Sequence, residues 1–167
     1  MNDPRSAGQG SAESHDALKP VRSLGSGRIV VGVDGSPGSL AALRFALAEA
    51  RLRDAEVQAL CAWHYLDTFG GPEVLPEGYD LRAEAERTVN DAVAAVDPAE
   101  RAGVLVTPST PHGSPAQVLL DAAAGADLLV VGTRGHGGFT GLLLGSVSAQ
   151  CVHHAPCPVV VIPASRS

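Results

Sequence analysis

The stretch Ile29-Val30-Val31-Gly32-Val33-Asp34-Gly35-Ser36-Pro37 decides the fold. Its first five residues form a short aliphatic run of the kind buried on both faces, which points to a central strand. Asp34 and Gly35 then make a turn. Ser36 is a good helix N-cap, and Pro37 fits the first helical position because its missing N–H is not needed there. A buried strand running straight into a capped helix is the opening of a βα unit. The helix that follows carries Leu40, Leu43, Leu47 and Ala50 on one face, with Arg44, Arg51 and Arg53 mostly elsewhere.

The same alternation continues outward. Glu56 to Trp63 reads as a second strand. Residues 66–79 contain Gly70-Gly71-Pro72 and Pro76 and read as a loop. A helix over roughly 80–97 repeats apolar residues at Leu81, Ala85, Val89, Ala92, Val93 and Val96, and Pro98 marks its end. Val104-Leu105-Val106 starts a third strand. Ser114-Pro115 opens a third helix by the same cap logic, with Val118, Leu119 and Ala122 inward. Asp127 to Val131 is a fourth strand, a Gly-rich loop runs from Gly132 to Gly145, and a helix over roughly 146–154 precedes a last strand, Pro158 to Ile162. The β-α-β-α-β-α-β-α-β order implies an α/β fold, with a mostly parallel sheet and helices on both faces. Ligands of such sheets sit beyond the carboxyl ends of the strands, at the switch point.

Bulk properties agree with one soluble domain. The chain has 167 residues, 45% of them hydrophobic and only 4% aromatic, so its core is built from Val, Leu, Ile and Ala. Net charge is −6 and Lys19 is the only lysine; no cationic stripe suits a nucleic-acid partner. Three cysteines, Cys61, Cys151 and Cys157, give an odd count, and no signal peptide or membrane span is evident, so a reducing cytoplasm is expected. Residues 1–27 are rich in Gly, Ser, Asp and Glu without periodicity and read as a disordered extension; the ordered domain is expected over 28–163, with a tail at 164–167.

The chemistry is carried by the segment from Gly132 to Ser146, which has six glycines among the 14 residues from Gly132 to Gly145. Glycine lets the backbone approach a ligand closely, and successive N–H groups can form an anion-binding concavity. Ser146 begins a helix whose N-terminus carries partial positive charge. These are the parts of a phosphate site. The segment is neither a Walker A loop, since no Gly-Lys-Ser/Thr is present, nor a dinucleotide fingerprint, since it follows the fourth strand.

Gly132-x2-Gly135-x9-Gly145-Ser146 resembles the nucleotide-binding signature of the ATP-binding universal stress proteins. The resemblance covers roughly residues 28–163, with support from Val31-Gly32-Val33-Asp34-Gly35-Ser36 and from His153-His154-Ala155-Pro156-Cys157-Pro158-Val159. It implies a doubly wound five-stranded parallel sheet of order 3-2-1-4-5. It places Asp34 at the adenine and ribose side, the backbone of Ala62 on adenine, and Val131 along the base. Gly132, Arg134 and Gly135 then correspond to ribose and phosphate contacts. Gly145, Ser146 and Val147 correspond to the triphosphate cradle, with Ser148 a weaker addition. The implied ligand is ATP, with Mg²⁺, and the implied role is a nucleotide-dependent sensor or regulator in stress response; slow ATP hydrolysis and a nucleotide-free interaction module are the alternatives. The resemblance also implies antiparallel homodimerisation through the last strand, Val159 to Ile162.

Bland roles compete at several positions. Asp34 also suits a cap beside Ser36, and the two roles are compatible. His136 is expected to face solvent. Cys151-x-His153-His154-x2-Cys157 has zinc-like residue types, but a helix end running into a strand splays such side chains, so no metal site is expected and Cys157 is expected to be buried. Trp63 and Tyr65 fit core or dimer packing at least as well as a base edge. No dedicated general base or active-site lysine is present, so fast turnover is not expected. A phospho-receiver would need an acidic cluster and an Asp after the third strand, where Thr107-Pro108-Ser109-Thr110-Pro111 stands.

Overall fold

The computed structural model describes residues 27–64, 78–133 and 144–163, together with the backbone of 67–68 and 71–72. Five strands form one parallel sheet: β1 (Gly27–Gly32), β2 (Ala55–Leu60), β3 (Val106–Ser109), β4 (Leu128–Gly132) and β5 (Val159–Ile162). Their spatial order is β3-β2-β1-β4-β5. The helices are α1 (Pro37–Arg53), α2 (Leu81–Ala94), the single turn α3 (Pro98–Arg101), α4 (Pro115–Ala123) and α5 (Ser146–His154). This is the doubly wound α/β sheet expected from the alternation, and its order reverses between β1 and β4.

Alternation along β1 explains the two layers. Ile29, Val31 and Val33 join Leu43, Leu47, Val57, Val89 and Val130 in a core beneath α1 and α2. Val30 points the other way, into a second core with Val118, Leu119, Leu129, Val131 and Cys151 beneath α4 and α5. A strand buried on both faces has no polar side, which is why β1 and β4 read as continuous aliphatic runs.

Boundaries differ from expectation in instructive ways. The third strand starts at Val106 and continues through Pro108 to Ser109, while Leu105 is 65% exposed. A proline is tolerated because β3 is an edge strand. Pro98 does not merely end α2; it opens α3, capped by Asp97, whose carboxylate accepts from the Ala99 N–H at 2.7 Å. Ser114 is the N-cap of α4 but makes no side-chain capping bond. Within the expected loop over 66–79, residues Asp67–Thr68 pair antiparallel with Gly71–Pro72. Cys157 is half-buried rather than buried. Residues 1–26, Tyr65, the stretch 134–143 with Arg134, Gly135 and His136, and the tail 164–167 lie outside the described residues.

Arg28 ties the amino end of the sheet to α4. Its guanidinium donates to Gln58 Oε1 at 2.8 Å and to the carbonyls of Ala122 at 2.9 Å and Ala124 at 3.0 Å. A cation there meets the negative end of the helix dipole.

Candidate functional site

The carboxyl ends of β1, β2 and β4 converge with the first turns of α1 and α5. At the end of β1, Gly35 has φ +81°, a conformation glycine adopts without strain, and turns the chain into α1. Asp34 Oδ1 accepts from the Ser36 N–H at 3.0 Å and from the Ser36 hydroxyl at 2.6 Å. Ser36 Oγ in turn accepts from the Ser39 N–H at 3.2 Å. The Asp34 side chain is therefore both exposed and built into the cap of α1.

Beside it, the end of β2 carries Cys61, buried and next to Asp34. Burial first, then the negative charges of Asp34 and Glu84, push its thiol pKa up to about 11. The amides of Cys61 and Trp63 donate to Ser109 and Pro111, toward β3. Successive peptide groups in an extended chain alternate sides. The Ala62 N–H and C=O are thereby turned to the other side, where β1 has left the sheet for α1. Ala62 is half-buried. Trp63 is also half-buried, with Nε1–H donating to the Thr110 carbonyl at 3.0 Å and its ring edge-on to His112 at 4.6 Å between centroids.

At the end of β4, Val131 is 3% exposed and its side chain belongs to the α4/α5 core. Gly132 sits against α1: a Cβ there would come within 2.9 Å of the Gly38 carbonyl carbon and 3.1 Å of its oxygen. The two ends of the following loop are fastened together. The Gly145 N–H donates to the Thr133 carbonyl at 2.7 Å, and the Thr133 N–H donates to Ile162 at 2.8 Å. The Ser148 hydroxyl lies 3.0 Å from the carbonyls of both Thr133 and Gly145.

Gly145 is the N-cap of α5 and has no side chain with which to cap it. The first N–H groups of a helix have no intrahelical partner, so those of Ser146 and Val147 can donate to an anionic ligand at the helix end. The structure thus brings Asp34, Ala62, Val131, Gly132, Gly145, Ser146 and Val147 to the same edge of the sheet. Arg134 and Gly135 fall outside the described residues.

The Cys151–Cys157 segment does not converge. Cys151 is fully buried in the α4/α5 core, while His153 and His154 are exposed at the end of α5. Among the described residues, no three His, Cys, Asp or Glu side chains are grouped so as to hold a metal ion.

The sequence profile of the universal stress protein family matches residues 25–163. This chain belongs to the universal stress protein family. It is 35% identical over 150 residues to a universal stress protein of Mycolicibacterium smegmatis, covering 89% of this chain and 47% of that one. It spans about half the length of the mycobacterial universal stress proteins it matches. Among solved structures, the universal stress protein from Archaeoglobus fulgidus in complex with dAMP aligns with a TM-score of 0.61 at 26% identity, covering 83% of this chain and 99% of that one. A universal stress protein in complex with cAMP aligns with a TM-score of 0.57 at 28% identity, covering 83% and 98%. Among the described residues, no helix of this universal stress protein is long and apolar enough to cross a membrane.

Two contributors carry more than their sequence context reveals. Ser148 is legible in the sequence only as an extra hydroxyl near the cradle, yet it fastens the loop. Gly132 is legible as a ligand-side glycine, yet it also has a packing reason to lack a Cβ. The signal for the first is a Ser three residues after an N-cap glycine; the second has no local signal, because Gly38 is far away in sequence.

Proposed function

We propose that this universal stress protein binds ATP, with Mg²⁺, at the switch point between β1 and β4, and acts as a nucleotide-dependent sensor or regulator. The observation that carries this reading is the meeting of the uncapped α5 N-terminus, at Gly145–Ser146, with the turned-out Ala62 peptide and Asp34 across the carboxyl ends of three strands. The α5 amides suit phosphate oxygens. The Ala62 N–H and C=O suit the donor-and-acceptor edge of adenine. Asp34 suits ribose hydroxyls, as an acceptor. Two relatives of like fold were solved with adenine nucleotides, dAMP and cAMP, which supports the base class rather than the phosphate number. The choice of ATP rests on the Gly132-x2-Gly135-x9-Gly145-Ser146 pattern.

Mg²⁺ needs few protein ligands here. It usually keeps several waters and takes phosphate oxygens with one or two carboxylates. Asp34 is the carboxylate that follows β1 at this edge. Its Oδ1 already accepts two hydrogen bonds. Bound here, the ion would be held by Asp34 with phosphate oxygens and water, and it would supply charge neutralisation.

Rapid hydrolysis is not part of the proposal. It would need a positioned base and charge stabilisation at the γ-phosphate, and Asp34 is occupied in the α1 cap. A regulator needs a state that the ligand biases. The contacts of Thr133 with Gly145 and Ser148, at the base of the Gly-rich segment, are the element nucleotide would bias.

The test is titration calorimetry with ATP, with and without Mg²⁺, on the unmodified chain and on Gly145→Ala. Saturable binding that the variant weakens at least about tenfold is expected. No binding to folded, nucleotide-free protein would leave the interaction-module reading. Product analysis after long incubation separates a sensor from a slow ATPase.

A specific observation favours homodimerisation through β5. The carbonyls of Pro158 and Ile162 bond inward to β4, so Val159 and Val161 turn their N–H and C=O groups outward. At the opposite edge, Pro108 supplies no N–H, and the Thr110 carbonyl is taken by the Trp63 indole. Of the two edges of the five-stranded sheet, only β5 presents an aliphatic edge with outward donors and acceptors both intact, the kind of edge that pairs with a second copy.

A further inference from the structure

A groove of about 640 Å³ runs between α1 and α2, lined by Asp34, Gly35, Leu40, Glu84, Thr88, Asp91, Ala92 and Ala95. Its apolar part is Leu40, Ala92 and Ala95. Its charged groups are Asp34, Glu84 and Asp91, all acidic; Arg87 answers Glu84 at 2.5 Å, but among the described residues no Lys or Arg lines the groove itself. After burial, which is the larger cause, Asp34 and Glu84 also raise the pKa of the neighbouring Cys61 thiol. This side of Asp34 is unsuited to phosphate and suited to a cationic, partly apolar occupant.

The chain carries such a segment just before β1: Leu18-Lys19-Pro20-Val21-Arg22-Ser23-Leu24. It has two cations, no acid, three aliphatic side chains and the only lysine of a protein whose net charge is −6. At about 3.3 Å per residue, Leu24 reaches about 10 Å from Gly27 and Leu18 about 30 Å. The Asp34 end of the groove lies past the far end of β1, about 23 Å from Gly27. That is within the separation of about 26 Å between an extended Lys19 and Gly27, and the α2 stretch from Glu84 to Ala95 is about 16 Å long. Proline in the middle keeps the segment from needing a helix to fit.

We propose that residues 18–24 dock in the α1/α2 groove of the same chain, with Leu18, Val21 and Leu24 over Leu40, Ala92 and Ala95 and with Lys19 and Arg22 against the acidic rim. The docking does not depend on nucleotide binding, although Asp34 belongs to the rim of the groove as well as to the candidate nucleotide site.

Limited trypsin digestion of the full chain, followed by intact-mass analysis, tests this. Trypsin cuts after Arg5 and after Arg22; Lys19 is shielded by Pro20. The Arg5 site is the internal reference. Docking predicts cleavage after Arg22 at least about tenfold slower than after Arg5. The protection should disappear in Glu84→Gln/Asp91→Asn and, independently, in Lys19→Glu, which leaves every residue of the groove in place. It should also fade in high salt. Equal cleavage at the two sites in the unmodified chain would overturn the proposal. So would protection that survives in Lys19→Glu, or in the rim variant with its melting temperature unchanged. A dilution series distinguishes the source: protection independent of concentration supports docking within one chain, and protection lost on dilution assigns the segment to a second copy and overturns the intrachain form.

Discussion

Gly132 and Gly38 are packed backbone to backbone: an added Cβ on Gly132 would lie 2.9 Å from the Gly38 carbonyl carbon and 3.2 Å from the Ser39 nitrogen. The end of β4 is thereby pressed against the first turn of α1, with only hydrogens between them. Since the obstacle is backbone rather than a flexible side-chain end, a methyl group at position 132 must push β4 and α1 apart. Both elements carry the candidate site, so packing and binding are coupled at this point.

Gly132→Ala is therefore expected to lose about 1–3 kcal/mol of stability, the range for an overpacked interior position. It should also weaken ATP binding beyond what the loss of folded protein explains. Urea unfolding gives the first quantity, and calorimetry on protein that is still folded at the working temperature gives the second. A variant as stable as the parent would show that the sheet and helix can part freely here.

Ser148→Ala probes the base of the Gly-rich loop. Ser148 is 3% exposed and its hydroxyl sits 3.0 Å from the carbonyls of Thr133 and Gly145. Thr133 keeps its bond from the Gly145 N–H, so its carbonyl is not orphaned in the variant. The expected stability loss is about 1 kcal/mol, that of one net hydrogen bond. The loop should open more easily, seen as faster amide exchange at Gly145 and Ser146. Unchanged exchange there would mean that the Thr133–Gly145 bond alone holds the loop closed.

The strand-helix alternation and the helix starts are legible because they are written in local chemistry, whereas the sheet order 3-2-1-4-5 is implied by the family resemblance. The β1 run, the Ser36-Pro37 cap and the Ser146 start each depend on residues adjacent in sequence. The third strand begins later than its pattern suggests because Val104 and Leu105 look like strand residues, while Pro108 looks like a breaker. What makes Pro108 acceptable is its place at the sheet edge, a property of the assembled fold. The site is legible in outline through its glycines and Ser146. The roles of Gly132 against Gly38, Ser148 against Thr133 and Asp34 against Cys61 are not, because each pair is made by segments brought side by side only on folding.

The thiols respond to pH in a defined direction. Cys61 and Cys151 are pushed up from 9.0 to about 11 by burial, Cys61 also by Asp34 and Glu84. Burial also raises Cys157, by less, and Arg28 offsets part of that rise. The thiolate is the reactive form. An alkylating reagent near pH 8 should label half-buried Cys157 first, and Cys61 and Cys151 only with unfolding. A folded-state pKa raised above the unfolded one adds stability below about pH 9 that is lost as pH rises toward 11. The unfolding midpoint should fall over that window, and fall less steeply in Cys61→Ala/Cys151→Ala. Peptide mapping after alkylation and denaturation curves at several pH values measure the two effects.

The contrast between the sheet's two edges gives the last prediction. Val161 sits in register with Val131 but turns its own N–H and C=O away from β4. Val161→Pro removes an outward donor without removing a ladder bond to β4, so the monomer fold should survive with a small loss of stability. Pairing with a second copy loses that donor, and a two-fold axis loses it twice. The variant should sediment at about half the mass of the parent, with its circular dichroism spectrum unchanged. Thr107→Pro at the opposite strand is the control for edge geometry in general: Thr107 turns inward to β2, so it should destabilise the fold and leave the mass of the folded fraction alone. If Val161→Pro keeps the parent's mass, the aliphatic edge of β5 is not where copies meet.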